Sequence, residues 1–293
     1  MYLVTGASGH LGQLVISNLL ETHKIPAQQI IATTRNPEKL ANLAEKGVSV
    51  RAADFDDTEK LAEAFKGATR LLLISTDALD RPGHRLEQHR NAIAAAEKAG
   101  AGHVIYTSMP NPENSPLLIA PDHEGTEKAL ATSTLPGWTV LRHHWYFENL
   151  FYSLPHAIKS GTWYTAAGDG KIAHIARQDL ANAAAAALAS NETAKKIYTI
   201  SGAKAVTTDE IAKQVSDAVG KPIAVVQVPL EGLVQGMVGS GMPEPIARVF
   251  ASFDTNTAAG RVADVTADYR KLTGNDNTPF NSWLANNKAA FLA

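Results

Sequence analysis

Three glycines recur at every third position in Gly6-Ala7-Ser8-Gly9-His10-Leu11-Gly12, directly after the apolar run Tyr2-Leu3-Val4 and at the start of the amphipathic stretch Leu11–Leu20. A strand that turns sharply into a helix at this spacing brings backbone N–H groups up to an anion. Glycine permits the tight turn and the close approach, and the helix start offers free donors and the positive end of its dipole. The anion that suits this cradle is the pyrophosphate of a dinucleotide, with the Ser8 hydroxyl as a further donor. The end of the next β-rich run separates the two dinucleotides. A carboxylate there would bond the ribose diol, but the chain reads Thr33-Thr34-Arg35-Asn36. A guanidinium can fork onto a 2′-phosphate, so the expected cofactor is NADPH (NADP+); the other reading of Arg35 is a plain surface arginine. Asp54-Phe55 follows the third run, where the adenine would lie. Asp54 could accept from the adenine amine or cap the following helix, and Phe55 could pack on the ring. Ser75-Thr76 and Ser108 end the fourth and fifth runs, on the rim where ligands sit in open α/β sheets.

Motifs are scarcer at the reactive end of such a cofactor. None of the seven tyrosines has a lysine four residues on, and neither Gly-x-Ser-x-Gly nor His-Glu-x-x-His occurs. Gly168-Asp169-Gly170-Lys171-Ile172 lacks the opening glycine and the hydroxyl residue of a P-loop. His123 and Glu127 stand four apart, as ligands on one helix face would, but no third ligand accompanies them and no metal is expected. His143-His144 are adjacent and diverge on a strand or loop, so they do not chelate. His123 is left as a group that titrates near neutrality when unperturbed. It is a candidate proton donor, or a solvent-facing or capping histidine, since Pro121-Asp122 precede it.

Six β-rich runs must position these residues: Tyr2–Thr5, Ile30–Thr34, Val48–Ala52, Leu71–Ser75, Val104–Thr107 and Trp138–Leu141. Helical patterns lie between them, among them Pro37–Glu45, Thr58–Phe65 and Leu86–Ala99. Strands alternating with helices imply fold class α/β, a Rossmann doubly wound parallel sheet of order 3-2-1-4-5-6. After Leu150 the alternation fails. The remaining pieces (helices near Gln178–Ala189, Thr208–Val219 and Pro279–Phe291, strands near Ile197–Ser201 and Ile223–Val228, an interrupted helical stretch Leu230–Thr257) read as a smaller C-terminal α/β substrate domain. The expected division is 1–150 for the NADP-binding Rossmann domain, with 172–202 adding to it, and 151–293 for a substrate or lid domain. Composition narrows the rest. The 293 residues include no cysteine, which removes disulfides and thiolate chemistry, and 27 basic against 29 acidic side chains leave a net charge of −2. No basic block invites nucleic acid and no apolar run spans a membrane. The N-terminus opens on a strand rather than a charged leader, so the cytoplasm is the expected location. A monomer or a homodimer fits equally.

Taken together, several motifs resemble the NmrA-like atypical short-chain reductases, and within them the bacterial quinone- and dye-reducing branch. They are the glycine turn, Thr34-Arg35-Asn36-Pro37, Leu71-Leu72-Leu73-Ile74-Ser75, Tyr106-Thr107-Ser108, and Asp122-His123-x-x-Thr126-Glu127-Lys128. Leu141-Arg142-x-x-Trp145-Tyr146-x-Glu148-Asn149 and Ala167-Gly168-Asp169-Gly170-Lys171 complete the set. The resemblance is strong to Asn149, fair through Gly202 and weak in the final third. It implies NADPH-dependent reduction of a quinone-like acceptor by direct hydride transfer, with no flavin and no metal. Two other functions are known in such proteins: a dinucleotide-binding redox sensor without turnover, and reduction of dyes or other small acceptors. It also implies that the nicotinamide lies near Arg142, His143, His144 and Trp145. The acceptor would then meet Tyr146, Phe147 and Asn149, and His123 and Tyr146 are the catalytic candidates. Relatives often carry Asn and Gly where His143 and His144 stand. In isoflavone-type reductases a lysine serves as the acid; counted back from Leu135-Pro136, His123 falls at its place and Ile119 at that of the tyrosine.

Overall fold

The computed structural model describes residues 1–292. The first half is a run of strand–helix units: β1 (Tyr2–Val4), α1 (His10–Glu21), β2 (Ile30–Thr34), α2 (Ala41–Glu45), β3 (Ser49–Ala52), α3 (Thr58–Phe65), β4 (Arg70–Leu73), α4 (His84–Lys98), β5 (His103–Ser108), α5 (Ala120–Thr132) and β6 (Gly137–His143). The expected elements are all present, with ends that differ by one or two residues. The stretch Pro37–Glu45 divides into a 3-10 turn over Pro37–Leu40 followed by α2.

The second half holds α6 (Leu154–Ser160), β7 (Thr162–Thr165), α7 (Arg177–Ala189), β8 (Lys196–Ile200), α8 (Thr208–Val219), β9 (Ala224–Gln227), α9 (Leu230–Gly239), α10 (Glu244–Ala258), α11 (Asp268–Thr273) and α12 (Phe280–Leu292). β8 returns to the main sheet, whose order is β3-β2-β1-β4-β5-β6-β8, and every pairing in it is parallel. The short runs β7 and α6 and the helix α11 carry too few periodic residues to be read from sequence.

Both faces of the sheet are covered, which is why its central strands β1, β4 and β5 are buried along most of their length. One face packs Val15, Ile16 and Leu19 of α1 with the alanines of α7 and Tyr269 of α11. Small side chains at Ala181, Ala183, Ala184, Ala185 and Ala187 let α7 lie close to α1 and the sheet. The other face packs Leu61 and Phe65 of α3, Ala92, Ile93 and Ala96 of α4, and Leu130 of α5. Beside the sheet, β7 pairs with β9 in parallel. A separate core of Phe147, Leu154, Ile158, Ile211, Val215, Trp283 and Phe291 joins α6, α8 and α12, and α9 packs on α10 through Leu233, Val234, Ala247 and Ala251. No helix among the described residues is long and apolar enough to cross a membrane.

Candidate active site

The glycine turn follows β1 as its composition requires. Gly6 has φ of +57°, a conformation open to glycine at no steric cost. A Cβ on Gly12 would stand 2.5 Å from the Gly6 carbonyl oxygen and 2.8 Å from Ala7 Cα, so α1 can approach the loop only with glycine there. The loop is braced from within: Ala7 N–H donates to the Thr33 carbonyl at 3.0 Å and Gly9 N–H to the Gly6 carbonyl at 2.9 Å. The N–H groups of His10, Leu11 and Gly12, in the first turn of α1, have no carbonyl four residues back within the helix and face out of its N-terminus. Ser8 Oγ lies 2.8 Å from Thr34 Oγ1, which joins the turn to the end of β2. Arg35 follows that pair, exposed and in no ion pair among the described residues. A dinucleotide phosphate and a 2′-phosphate fit this group of donors.

Farther along the rim the structure departs from two readings. Phe55 is 9% exposed and packs edge-on against Phe65 in the α3 core, so its ring is not free to cover an adenine. Asp54 does not cap α3; its Oδ1 accepts from Asp56 N–H at 3.0 Å, and Asp57 is the cap. Asp54 itself is exposed.

Below the ends of β4 and β5 lies a buried polar layer that the motifs did not reveal. Thr76 N–H donates to Nε2 of His89 at 3.0 Å, and Thr76 Oγ1 is buried without a partner. With Nε2 accepting, the His89 proton sits on Nδ1, which donates to Thr126 Oγ1 at 2.9 Å; Thr126 in turn donates to the Asp122 carbonyl at 2.6 Å. Burial, helped by the charge of Arg85, pushes the His89 pKa down to about 3. His123 belongs to the same layer. An Arg85 Nη2–H donates to its Nε2 at 3.3 Å, which leaves the proton on Nδ1, 2.8 Å from Tyr106 Oη. His123 is 4% exposed, and Ile119 stands at the cap position of α5. It therefore neither faces solvent nor caps the helix. Burial, then the charge of Arg85, holds its pKa well below the ordinary histidine value, so it carries no extra proton to donate at neutral pH. One sequence signal could have found this layer: Arg85 and His89 occupy the apolar stripe of α4 that Ala92, Ile93 and Ala96 continue.

The segment after β6 divides by strand alternation. Arg142 faces α5, where Nε and Nη2 bond Glu127 at 3.0 and 2.6 Å and Nη2 also reaches Glu113 at 2.6 Å. Ser108 donates to the same Glu127 at 2.6 Å. Neither Arg142 nor Ser108 is free for a cofactor as expected; they brace the strand ends instead. His143 is buried with both ring nitrogens unpartnered among the described residues, as are both of His144 and Nδ1 of His174. Burial pushes their pKa values down to about 3, 4 and 3 respectively. Trp145 packs against Phe253 of α10 with ring centroids 3.9 Å apart and the planes tilted by 32°. Tyr146 is partly buried, its ring 5.6 Å from the Arg177 guanidinium carbon and its pKa pushed up to about 12, by burial first. Phe147, expected to wall an acceptor, is 5% exposed and lies between Phe280 and Trp283. Glu148 accepts from Arg177 N–H at 2.9 Å and from Trp283 Nε1 at 3.1 Å, tying the segment to α7 and α12. Asn149 remains partly exposed beside them.

A doubly wound parallel sheet with a glycine-lined helix start and a polar rim defines a dinucleotide-binding protein of the Rossmann class. The chain belongs to the NmrA-like family, whose model matches residues 2–284. It is 38% identical to quinone oxidoreductase 2 of Escherichia coli over 95% of each chain. The crystal structure of the NADPH-dependent quinone oxidoreductase from E. coli, complexed with NADPH, superposes with a TM-score of 0.92 at 36% identity, covering 99% of this chain and 100% of that one. The triphenylmethane reductase of Citrobacter sp., complexed with NADP(H), gives 0.88 at 36% identity over 96% and 97%.

Proposed function

We propose that this chain is an NADPH-dependent reductase that passes hydride directly to quinone-like acceptors, without flavin or metal. The observation that carries the reading is the bond between Ser8 and Thr34 with the uncommitted Arg35 beside it. Two hydroxyls and a free guanidinium at the end of β2 suit a 2′-phosphate and offer no carboxylate to a bare ribose. NADPH bound there supplies the hydride. The glycine turn and the start of α1 hold its phosphates. Thr76 Oγ1 and the ring nitrogens of His143, buried and unpartnered, offer the donors and acceptors that a carboxamide needs.

The acceptor side is assigned to Tyr146, Trp145 and Asn149. Two aromatic rings with centroids 6.4 Å apart at the mouth of the segment give a flat acceptor apolar surface to lie on. The relatives named for quinones and triphenylmethane dyes support an acceptor of that shape. A neutral His123 agrees with a quinone, since water can protonate the product oxygen. His123 then serves as a positioning residue, holding Arg85 on one nitrogen and Tyr106 on the other.

The test is NADPH oxidation with a panel of quinones, dyes and aldehydes and a no-acceptor control. Quinone-dependent turnover by protein free of bound flavin is expected. Tight NADPH binding with no turnover on any acceptor would make the chain a dinucleotide-sensing regulator instead.

A further inference from the structure

The first turn of α4 carries a cation with no ion pair among the described residues. Arg85 is 6% exposed, and its Nε is buried without a partner. The one hydrogen bond its guanidinium makes among the described residues is the contact of Nη2 with His123 Nε2 at 3.3 Å. The charged and titratable groups around it come from five segments: Asp77 ahead of α4, His89 on α4 itself, Tyr106 on β5, Asp122 and His123 on α5, and Tyr146 after β6. His89 and His123 are neutral for the reasons given above, and the two tyrosines are held protonated. Neither carboxylate comes within ion-pair distance. A buried, unpaired guanidinium is costly to fold around, and an apolar residue would pack there at less cost. Such a cation is a ready partner for an anion that arrives from outside the chain, and the layer that holds it runs from His123 through Tyr106 and His89 to the Thr76 N–H at the end of β4.

We propose that Arg85 is the acceptor-side cation of this site, which takes up the negative charge that reduction leaves on an acceptor oxygen and thereby favours acceptors that become oxyanions. The chemistry rests on the reductase reading above; the anion site does not. A quinone that gains a hydride forms one O–H bond, keeps both electrons and leaves the step as a hydroquinone monoanion. The C–H bond of the reduced dinucleotide is the one that breaks, and a proton from water completes the hydroquinone. A cationic triarylmethane dye behaves oppositely. Hydride adds to its central carbon and the product is neutral, so a fixed cation opposes its binding and gains nothing in the step.

The experiment compares wild type with Arg85→Met and Arg85→Lys on two readouts. In turnover with NADPH, Arg85→Met should lower kcat for benzoquinone by about 10²-fold, the usual worth of one oxyanion donor. The ratio of benzoquinone to crystal violet turnover should fall at least about tenfold, and Arg85→Lys should recover part of the loss because it keeps the charge. In binding, the NADP+-loaded wild type should hold 4-nitrophenol as its yellow phenolate at a pH below the free compound's own pKa. Arg85→Met should abolish that shift while its melting temperature stays level or rises. If wild type does not shift the nitrophenol, or if both substitutions leave the shift and the acceptor ratio unchanged, the assignment is overturned. An Arg85-dependent phenolate shift in a protein that turns over no quinone would sustain the anion site and sink the reductase reading; the reverse pattern would sustain the reading and sink the site.

Discussion

Arg142 forks onto Glu127 with Nε to Oε1 at 3.0 Å and Nη2 to Oε2 at 2.6 Å, and both side chains are largely shielded, at 15% and 11% exposure. With Ser108 bonded to the same carboxylate, this pair locks the ends of β5 and β6 to α5. Glu127→Gln keeps the shape and removes the charge. A hydrogen bond to a charged group is worth about 2 kcal/mol, so the variant should melt several degrees lower and show a raised KM for NADPH as the segment after β6 loosens. An unchanged melting curve would mean that Glu113 alone holds Arg142.

Arg35 is exposed, uncommitted and next to the Ser8–Thr34 pair. Arg35→Ala should weaken NADPH binding about tenfold to a hundredfold, the worth of a charge-assisted fork. NADH binding should stay within about twofold. Titration of cofactor fluorescence decides it; equal losses for both cofactors would remove the 2′-phosphate assignment.

Gly12 has no room for a methyl group, with backbone atoms 2.5 and 2.8 Å from where its Cβ would stand. Gly12→Ala should therefore displace the turn and reduce NADPH affinity by at least about tenfold, by analogy with other close backbone approaches to a pyrophosphate. Gly236 on α9 is the control, since nothing lies within 4 Å of its added Cβ. Gly236→Ala should leave cofactor binding alone and stabilise α9 by about 1 kcal/mol.

Acidification should unfold the protein through its buried histidines. His89, His143 and His174 are held neutral with pKa values near 3, and His144 near 4, against 6.5 for an unperturbed imidazole. Between those limits the unfolded chain binds more protons than the folded one. Their stabilising effect is thus full above pH 6.5 and is lost as pH falls toward 3, at up to about 1.4 kcal/mol per pH unit for each histidine. Melting temperature measured from pH 8 to 4 should be flat at first and then fall steeply. His143→Asn should make the fall shallower; a slope identical to wild type would mean that His143 takes a proton while folded.

The sequence by itself determined the sheet and the glycine turn that follows its first strand. An apolar strand, glycines every third residue and an amphipathic helix form one contiguous unit, so local spacing was enough to place Gly6, Gly9 and Gly12. The same holds for the position of Arg35, directly after β2. Tertiary structure decided the reactive end. Whether Phe55 and Phe147 face a ligand or a core depends on Phe65, Phe280 and Trp283, which are distant along the chain or in another element. Arg142 stands at a strand end that suits a cofactor ligand, but Glu127 and Glu113, from two other segments, hold it. His123 titrates near neutrality as an isolated residue. Burial beneath β5 and the neighbouring charge of Arg85 make it neutral, and both arise only when α4 and α5 pack on the same face of the sheet. Helical and strand periods are properties of neighbouring residues, whereas desolvation and pairing are properties of whatever the fold brings alongside.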